Sequence, residues 1–234
     1  MYSEINPTAV VRRVGAMLTL RTELENGEIE SLHVKFSRSN RKTGKSIPSV
    51  SLIPVADCGN CATCSSGCYD LRNVCYLKSV QTTRAQNSAI LRKDRDRYFR
   101  EIEATATLER FFRWHVGGEI VDADYFRRMV ETALKVPTCT FLVFTKRFDI
   151  VNGFLDGGRE IPRNLKIIFS DWKGLEMDNP YNLPVSSPVW NYGVKGKHCT
   201  EKVHWCGGHC EECATTATGC FGARKGDTIL FHAH

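Results

Sequence analysis

The sequence predicts a parallel α/β fold, and three observations carry that expectation. Apolar strand candidates at Thr140–Thr145 and Leu165–Ser170 are separated by a short helical stretch, Asp149–Leu155, and a further strand and helix precede them. Strand, helix, strand, helix, strand is the order of parallel α/β architecture. Of the 234 residues 42% are hydrophobic, enough for a substantial core. No apolar run approaches the roughly 20 residues of a membrane helix, and Met1 to Thr8 carries no basic-then-apolar leader. A soluble, non-exported, cytoplasmic protein without a membrane partner is expected. The units are too few for a complete eight-stranded barrel.

The elements follow in order. Residues 9 to 21 and 29 to 37 are β-rich pieces around Glu25-Asn26-Gly27, which reads as an N-terminal β-hairpin. A basic loop, Asn40 to Lys45, comes next, and Ile47 to Val55 reads as a strand leading into a cysteine-rich loop. From Thr82 to about Phe112 there is no proline or glycine, and Ile90, Leu91, Tyr98, Ile102 and Leu108 recur at helical intervals, so a long helix broken once is expected. Phe111 to Val116 reads as a strand. Asp122 caps a helix with Phe126, Met129, Val130, Ala133 and Leu134 on one face. From Met177 to Lys197 the chain is rich in Pro, Asn and Gly and reads as a long loop toward the terminal cysteines. All of this suits one domain over 1–234, with a β-rich part (1–57), a cluster loop and α/β core (58–176) and a cysteine-rich C-terminal segment (177–234).

Eleven cysteines stand in two groups of five, with Cys139 alone at the start of a strand, where it reads as a small core residue. The first group is Cys58-x2-Cys61-x2-Cys64-x3-Cys68, followed by Cys75. It matches the bacterial ferredoxin run up to its fourth cysteine, with Tyr69 where ferredoxins carry proline. The second is Cys206-x3-Cys210-x2-Cys213-x6-Cys220, preceded by Cys199 and accompanied by His198, His204 and His209. Disulfides seldom use such close spacing, whereas metal sites do, because neighbouring thiolates converge on one centre. One or two [4Fe–4S] clusters are therefore expected, with zinc as the alternative metal, since thiolates suit both. Five cysteines per group exceed the four of a closed tetrahedral site, so one in each group is expected to be a spare or to stand just outside the ligand set.

Further along stand Asn40-x-Lys42-Thr43-Gly44, Cys68-Tyr69 with Asn87 nineteen residues on, Arg113-x-His115-x-Gly117-Gly118-Glu119, Phe141-x-x-Phe144-Thr145-Lys146, and a tail ending Ile229-x-Phe231-x-x-His234. In this order the set resembles the phage gene product 88 family, whose members look like radical S-adenosylmethionine (radical-SAM) enzymes. The resemblance implies a partial, radical-SAM-like parallel α/β barrel with two cysteine-rich metal-binding segments, encoded by a phage and working in the bacterial cytoplasm. It implies that the Cys58 to Cys75 loop follows the first strand and that Gly117-Gly118-Glu119 follows the next, where such enzymes receive the amino group of S-adenosylmethionine. Glycines admit close backbone approach and a carboxylate accepts from an ammonium group. By the same likeness Lys146 would meet the methionyl carboxylate, and Ser170 or Asp171 would line the cofactor pocket. Cys206 to Cys213 carry the CxxxCxxC spacing of those enzymes, although there the motif follows the first strand. The first group lacks that spacing, and four cysteines closing a cluster would leave no iron for S-adenosylmethionine.

His115 is the candidate catalytic residue. Alternation along its strand points Trp114 and Val116 one way and His115 the other, toward the barrel interior, to bind substrate or donate a proton. The alternative is a core histidine bonded to the backbone. For Gly117 and Gly118 the alternative is a strand-to-helix turn, and for Glu119 and Lys146 solvated charges. The formal charge of +6 allows nucleic acid as a partner without demanding it. Arg92-Lys93-x-Arg95-x-Arg97-x-x-Arg100 supplies the basic stretch, with Asp94, Asp96 and Glu101 interleaved. Three functions follow: a radical-SAM-like enzyme, a non-catalytic cluster or zinc protein that binds nucleic acid or a protein partner, and an electron carrier.

Overall fold

The computed structural model describes residues 6–38, 43–59, 67–73, 75, 77–189, 201–216 and 219–232. Its centre is a seven-stranded, all-parallel sheet: β1 (Ser49–Val50), β2 (Phe111–Trp114), β3 (Thr140–Thr145), β4 (Leu165–Ser170), β5 (Val185–Val189), β6 (Val203–Trp205) and β7 (Thr228–His232). The order is β1-β2-β3-β4-β5-β7-β6, open between β1 and β6, as a partial α/β barrel requires. The helices are α1 (Pro7–Asn26), α2 (Tyr69–Asn73), α3 (Lys78–Lys93), α4 (Arg95–Thr107), α5 (Ala123–Lys135), α6 (Phe148–Asp156) and α7 (Cys210–Thr215). None of the described helices is long and apolar enough to cross a membrane.

Strand alternation divides the sheet into two faces. Phe112, Trp114, Phe141, Val143, Ile167 and Phe169 point outward and pack with α4, α5 and α6 in the main core. Arg113, Leu142 and Ile168 point the other way, and the C-terminal segment of α7 and the turn Cys220–Gly222 packs over them through Cys210, Cys220, Phe221 and Ala223. The inner face is thus occupied by the chain's own tail. Helix α1 is held apart from both faces, on α3 and the segment after β1, where Val14 and Met17 meet Ile53, Leu71 and Cys75.

The N-terminal hairpin is not formed. Residues 7 to 26 are one helix, because Asn6 caps it by accepting from the Thr8 N–H at 2.9 Å and Pro7 sits in its first turn, where a missing N–H costs nothing. Glu25-Asn26-Gly27 ends that helix instead of turning a hairpin, with the Gly27 N–H on the Leu24 carbonyl. Residues 29 to 37 add only a 3-10 turn, Ile29–Ser31, and one antiparallel bridge from Ser37 to Ser49. The long helix is broken once, at Asp94, whose side chain caps α4 through the Arg97 N–H. Leu134 does not share the buried face of α5: it is 62% exposed while Phe126, Met129 and Ala133 are fully buried. Cys139 is a buried core residue, its thiol pushed up to about 12 by burial.

The stretch expected as loop from Met177 to Lys197 contains β5. Its Pro188 keeps the parallel register because β4 pairs only with Val185 and Ser186, so the proline lies past the end of that ladder. Strands β6 and β7 went unread because each is short and flanked by polar residues. Residues 40–42 of the basic loop, and Cys61, Cys64, His198, Cys199 and His234, lie outside the described residues.

Candidate metal centres at the strand ends and on the inner face

The loop after β1 is fastened on three sides. Asn87 of α3 donates to the carbonyls of Lys35 and Ser51 and accepts from the Lys35 N–H, tying the chain on either side of β1 to one helix. Asp57 accepts from the Ile53 N–H at 2.9 Å and faces Arg21 of α1 at 3.5 Å; burial nevertheless holds its carboxyl above the usual range. Between them Val55 takes φ +70°, a left-handed conformation rare for a β-branched residue, and its N–H donates to Cys58 Sγ at 3.2 Å. The strain is spent where the cysteine loop begins.

Cys68 and Cys75 lie within electrostatic reach of each other behind α2. Cys75 is fully buried and engaged by Arg84 and Asp70, which form a buried ion pair. Desolvation, then the Asp70 charge, pushes the Cys75 thiol far up. Cys75 is thus the most enclosed of the described thiols in its group. Asp70 also stands against Gly117, where any side chain would collide with it.

Gly117-Gly118-Glu119 leaves β2 at the same end of the sheet. The Gly117 carbonyl accepts from Leu52 N–H at 2.9 Å, and Gly118 has φ +92° with space for a Cβ only 2.8 Å from that of Leu52. Gly118 is therefore required by the approach of the chain after β1, and Gly117 by the Asp70 and Arg84 side chains. Glu119 is buried, and its carboxylate accepts from the Ile120 N–H at 2.8 Å, the Thr145 hydroxyl at 2.7 Å and the Lys146 N–H at 2.8 Å, fastening the loop to the end of β3. Burial pushes this carboxyl up, opposed by the Lys146 charge and those three donors. The Lys146 ammonium sits over the Trp172 ring, 5.3 Å from its centroid. Ser170 ends β4 within 3.4 Å of the Ser186 hydroxyl, and the neighbouring Asp171 N–H donates to the Ser186 carbonyl.

His115 does not point into the interior. The strand ends at Trp114, and His115 turns to φ +48°, which breaks the alternation and puts its ring in the outer layer beside Trp114, with Nε2 2.9 Å from the Tyr125 hydroxyl. Burial lowers its pKa to about 3, so the ring is neutral. It is a core histidine, bonded to a side chain and not to the backbone.

The second group gathers on the inner face. Cys206 directly follows β6 and its N–H donates to the Leu230 carbonyl of β7 at 2.7 Å. Cys210 and Cys213 are three apart in α7 and share one side of it. Gly219, at φ +80°, brings Cys220 back toward Cys213; a Cβ on this glycine would lie 3.0 Å from Cys213 Sγ. Burial pushes the Cys220 thiol up, and Cys206, Cys213 and Cys210 all contribute to its field. Arg113, 4% exposed, reaches from β2 to place Nη1 3.3 Å from Cys210 Sγ. All described cysteines are free thiols. Among the described residues no three His, Cys, Asp or Glu side chains stand close enough to enclose a single ion. Cys68 and Cys75 pack in one apolar cluster and Cys206, Cys210 and Cys220 in another.

Two arginines that touch thiols, Arg84 and Arg113, were missed as site residues. Arg113 carries a signal: it shares strand parity with Phe111 and not with Phe112 and Trp114, an arginine on an otherwise apolar inner face. The basic run on α3 and α4 is largely neutralised within the chain, Arg92 by Glu25, Arg95 by Asp122 and Asp124, and Arg97 by Asp94 and Glu101.

Comparison with known proteins adds one finding. Residues 25–179, about two thirds of the chain, match the family model described as gene product 88. The match spans the first cysteine group, Gly117-Gly118-Glu119 and Lys146, and stops before the second group. No curated protein and no solved structure matches.

Proposed function

We propose, from the premise that this chain belongs to the gene product 88 family, that it is an iron–sulfur protein laid out like a radical-SAM enzyme. One observation supports the reading most directly. The cysteine loop after β1, Gly117-Gly118-Glu119 after β2 and Lys146 after β3 succeed one another at the C-terminal ends of three neighbouring parallel strands. Parallel sheets bind ligands at that edge.

The donor set fits a cluster. Cys58, Cys61, Cys64 and Cys68 have ferredoxin-like spacing, and thiolates are soft ligands for iron. Cys75 stands beside this set, in contact with Arg84 and Asp70, as the fifth cysteine of the group. Bound through three of these cysteines, with the fourth leaving one iron open, such a cluster would supply the electron that cleaves the sulfonium of S-adenosylmethionine. The chain's own part is to bind and orient: Glu119 offers a lone pair to an ammonium group beyond the three hydrogen bonds it already accepts. Lys146 offers a positive charge to a carboxylate, and Ser170 a hydroxyl on the adjacent strand. A phage-encoded, cytoplasmic setting belongs to the same reading, since thiolate sites persist in reducing compartments.

A second reading, a non-catalytic cluster or zinc protein, has its own support. Glu119 is held by three donors of its own chain, which makes the Gly-Gly-Glu turn a fastening between β2 and β3. Electron paramagnetic resonance of the reduced protein, prepared without oxygen, separates the two. The enzyme reading expects a cluster signal that changes on adding S-adenosylmethionine, and loss of that change in a C61A/C64A variant. A signal that S-adenosylmethionine leaves untouched would contradict the enzyme and leave the closed-cluster protein.

A further inference from the structure

Four thiols outside the part of the chain that matches the family model are brought together by the fold. They come from three separate pieces: the end of β6 (Cys206), one side of α7 (Cys210 and Cys213) and the turn after it (Cys220). Three features hold them. Cys206 is fixed to β7 by its backbone N–H. Gly219 is left-handed, which returns Cys220 to α7, and the Cys220 N–H is directed at the Cys213 sulfur. Cys210 and Cys220 are buried, with Leu142, Ile168, Phe221 and Ile229 around them, so water is excluded from one side of the group.

Charge is arranged to match. Thiolates bound to a divalent ion or a cluster carry net negative charge, and burying it requires positive charge or donors nearby. Arg113 places its guanidinium against Cys210 from the floor of the site and lies over the Phe144 ring, 5.0 Å from its centroid, which fixes the planar group in place. Glu211, the residue after Cys210, points outward and accepts from Ser46 N–H and Oγ at 2.6 Å, anchoring α7 to the chain just before β1. The segment carrying the thiols is thereby clasped from both ends of the sheet.

We propose that Cys206, Cys210, Cys213 and Cys220 form a second, closed four-thiolate metal centre, separate from the loop after β1, that pins the C-terminal segment over the inner face of the sheet. The thiols stand wider than single-ion spacing. Holding metal there requires α7 and the turn Cys220–Gly222 to draw together. Four protein ligands leave no open position, so the centre is structural or electron-transferring.

The test compares wild type, C210S/C213S and C61S/C64S, all full-length and purified without oxygen. Iron, sulfide and zinc are measured per chain, and limited proteolysis is followed in parallel. The proposal expects C210S/C213S to lose one centre's metal while keeping the rest, and to be cut faster between residues 201 and 232. It expects C61S/C64S to retain the tail's metal. Iron with sulfide identifies a cluster and zinc without sulfide a single ion, and either upholds a four-thiolate centre. Metal content unchanged in C210S/C213S, or lost entirely in C61S/C64S, would overturn it. Should C210S/C213S not fold, R113M keeps all four thiols and is expected to release the tail's metal to a chelator roughly 10–100-fold more readily; release at the wild-type rate overturns the proposal. Failure of this centre leaves the reading of the first loop untouched, because each group is scored on its own variant.

Discussion

His115 shows how one backbone angle decides a side chain's chemistry. Its neutral ring is buried with a pKa of about 3, whereas an unfolded histidine takes up its proton near 6.5. Between those values the unfolded chain binds a proton that the folded chain does not, so folding stability falls as pH drops through that window, by at most ~1.4 kcal/mol per pH unit. Glu119, Asp57 and Asp70, raised by burial, act with the opposite sign, contributing stability at low pH that is lost as pH rises. Substituting His115→Asn isolates the histidine: its destabilisation should shrink on going from pH 7 to pH 5 in denaturant melts, and a constant difference would contradict the assignment. The glycines give a second contrast. Gly118→Ala meets Leu52 and an unfavourable φ and should cost ~2 kcal/mol or more. Gly153→Ala in α6 meets nothing within 4 Å and should stabilise by up to ~1 kcal/mol. The Gly-Gly-Glu turn was legible from its residues. The outward turn of His115 was not, because it depends on a left-handed angle that strand parity does not encode.

At the scale of elements, β3 and β4 were readable to the residue. Continuous apolar runs such as Phe141-Leu142-Val143-Phe144 suit a strand buried on both faces, and polar residues bound them. Helix α5 was readable from its Asp122 cap, with an error of one residue in its face. Met129→Ala should therefore cost about 2–5 kcal/mol, while Leu134→Lys should fall within about 0.5 kcal/mol of wild type. Equal losses in thermal or denaturant melts would contradict the orientation given for α5. Helix α1 was misread because Val10, Val11, Val14 and Leu18 suit a strand as well as a helix, and its decisive signals are at the ends: the Asn6 cap, Pro7 and Gly27. Removing the cap with Asn6→Ala should lower stability by about 1 kcal/mol. The tail strands were illegible because their register comes from β7 entering between β5 and β6, a pairing fixed by tertiary packing.

Across the whole molecule, the cysteine spacing motivates the proposed metal chemistry, and the fold places the described thiols in two regions. The described thiols of the first group stand behind the C-terminal end of β1 with Cys75 withdrawn onto Arg84, and the second group lies on the inner face against Arg113. The basic run of α3 and α4 is spent on internal ion pairs, so nucleic acid is expected to bind weakly and with little dependence on that segment. Iron–sulfur chemistry is the claim on which the rest depends. Iron, acid-labile sulfide and zinc, counted per chain on protein purified without oxygen, test it most directly. The account predicts iron and sulfide in equal amounts, about four of each for every cluster held. Zinc without sulfide, or a chain that folds and holds neither, would contradict it.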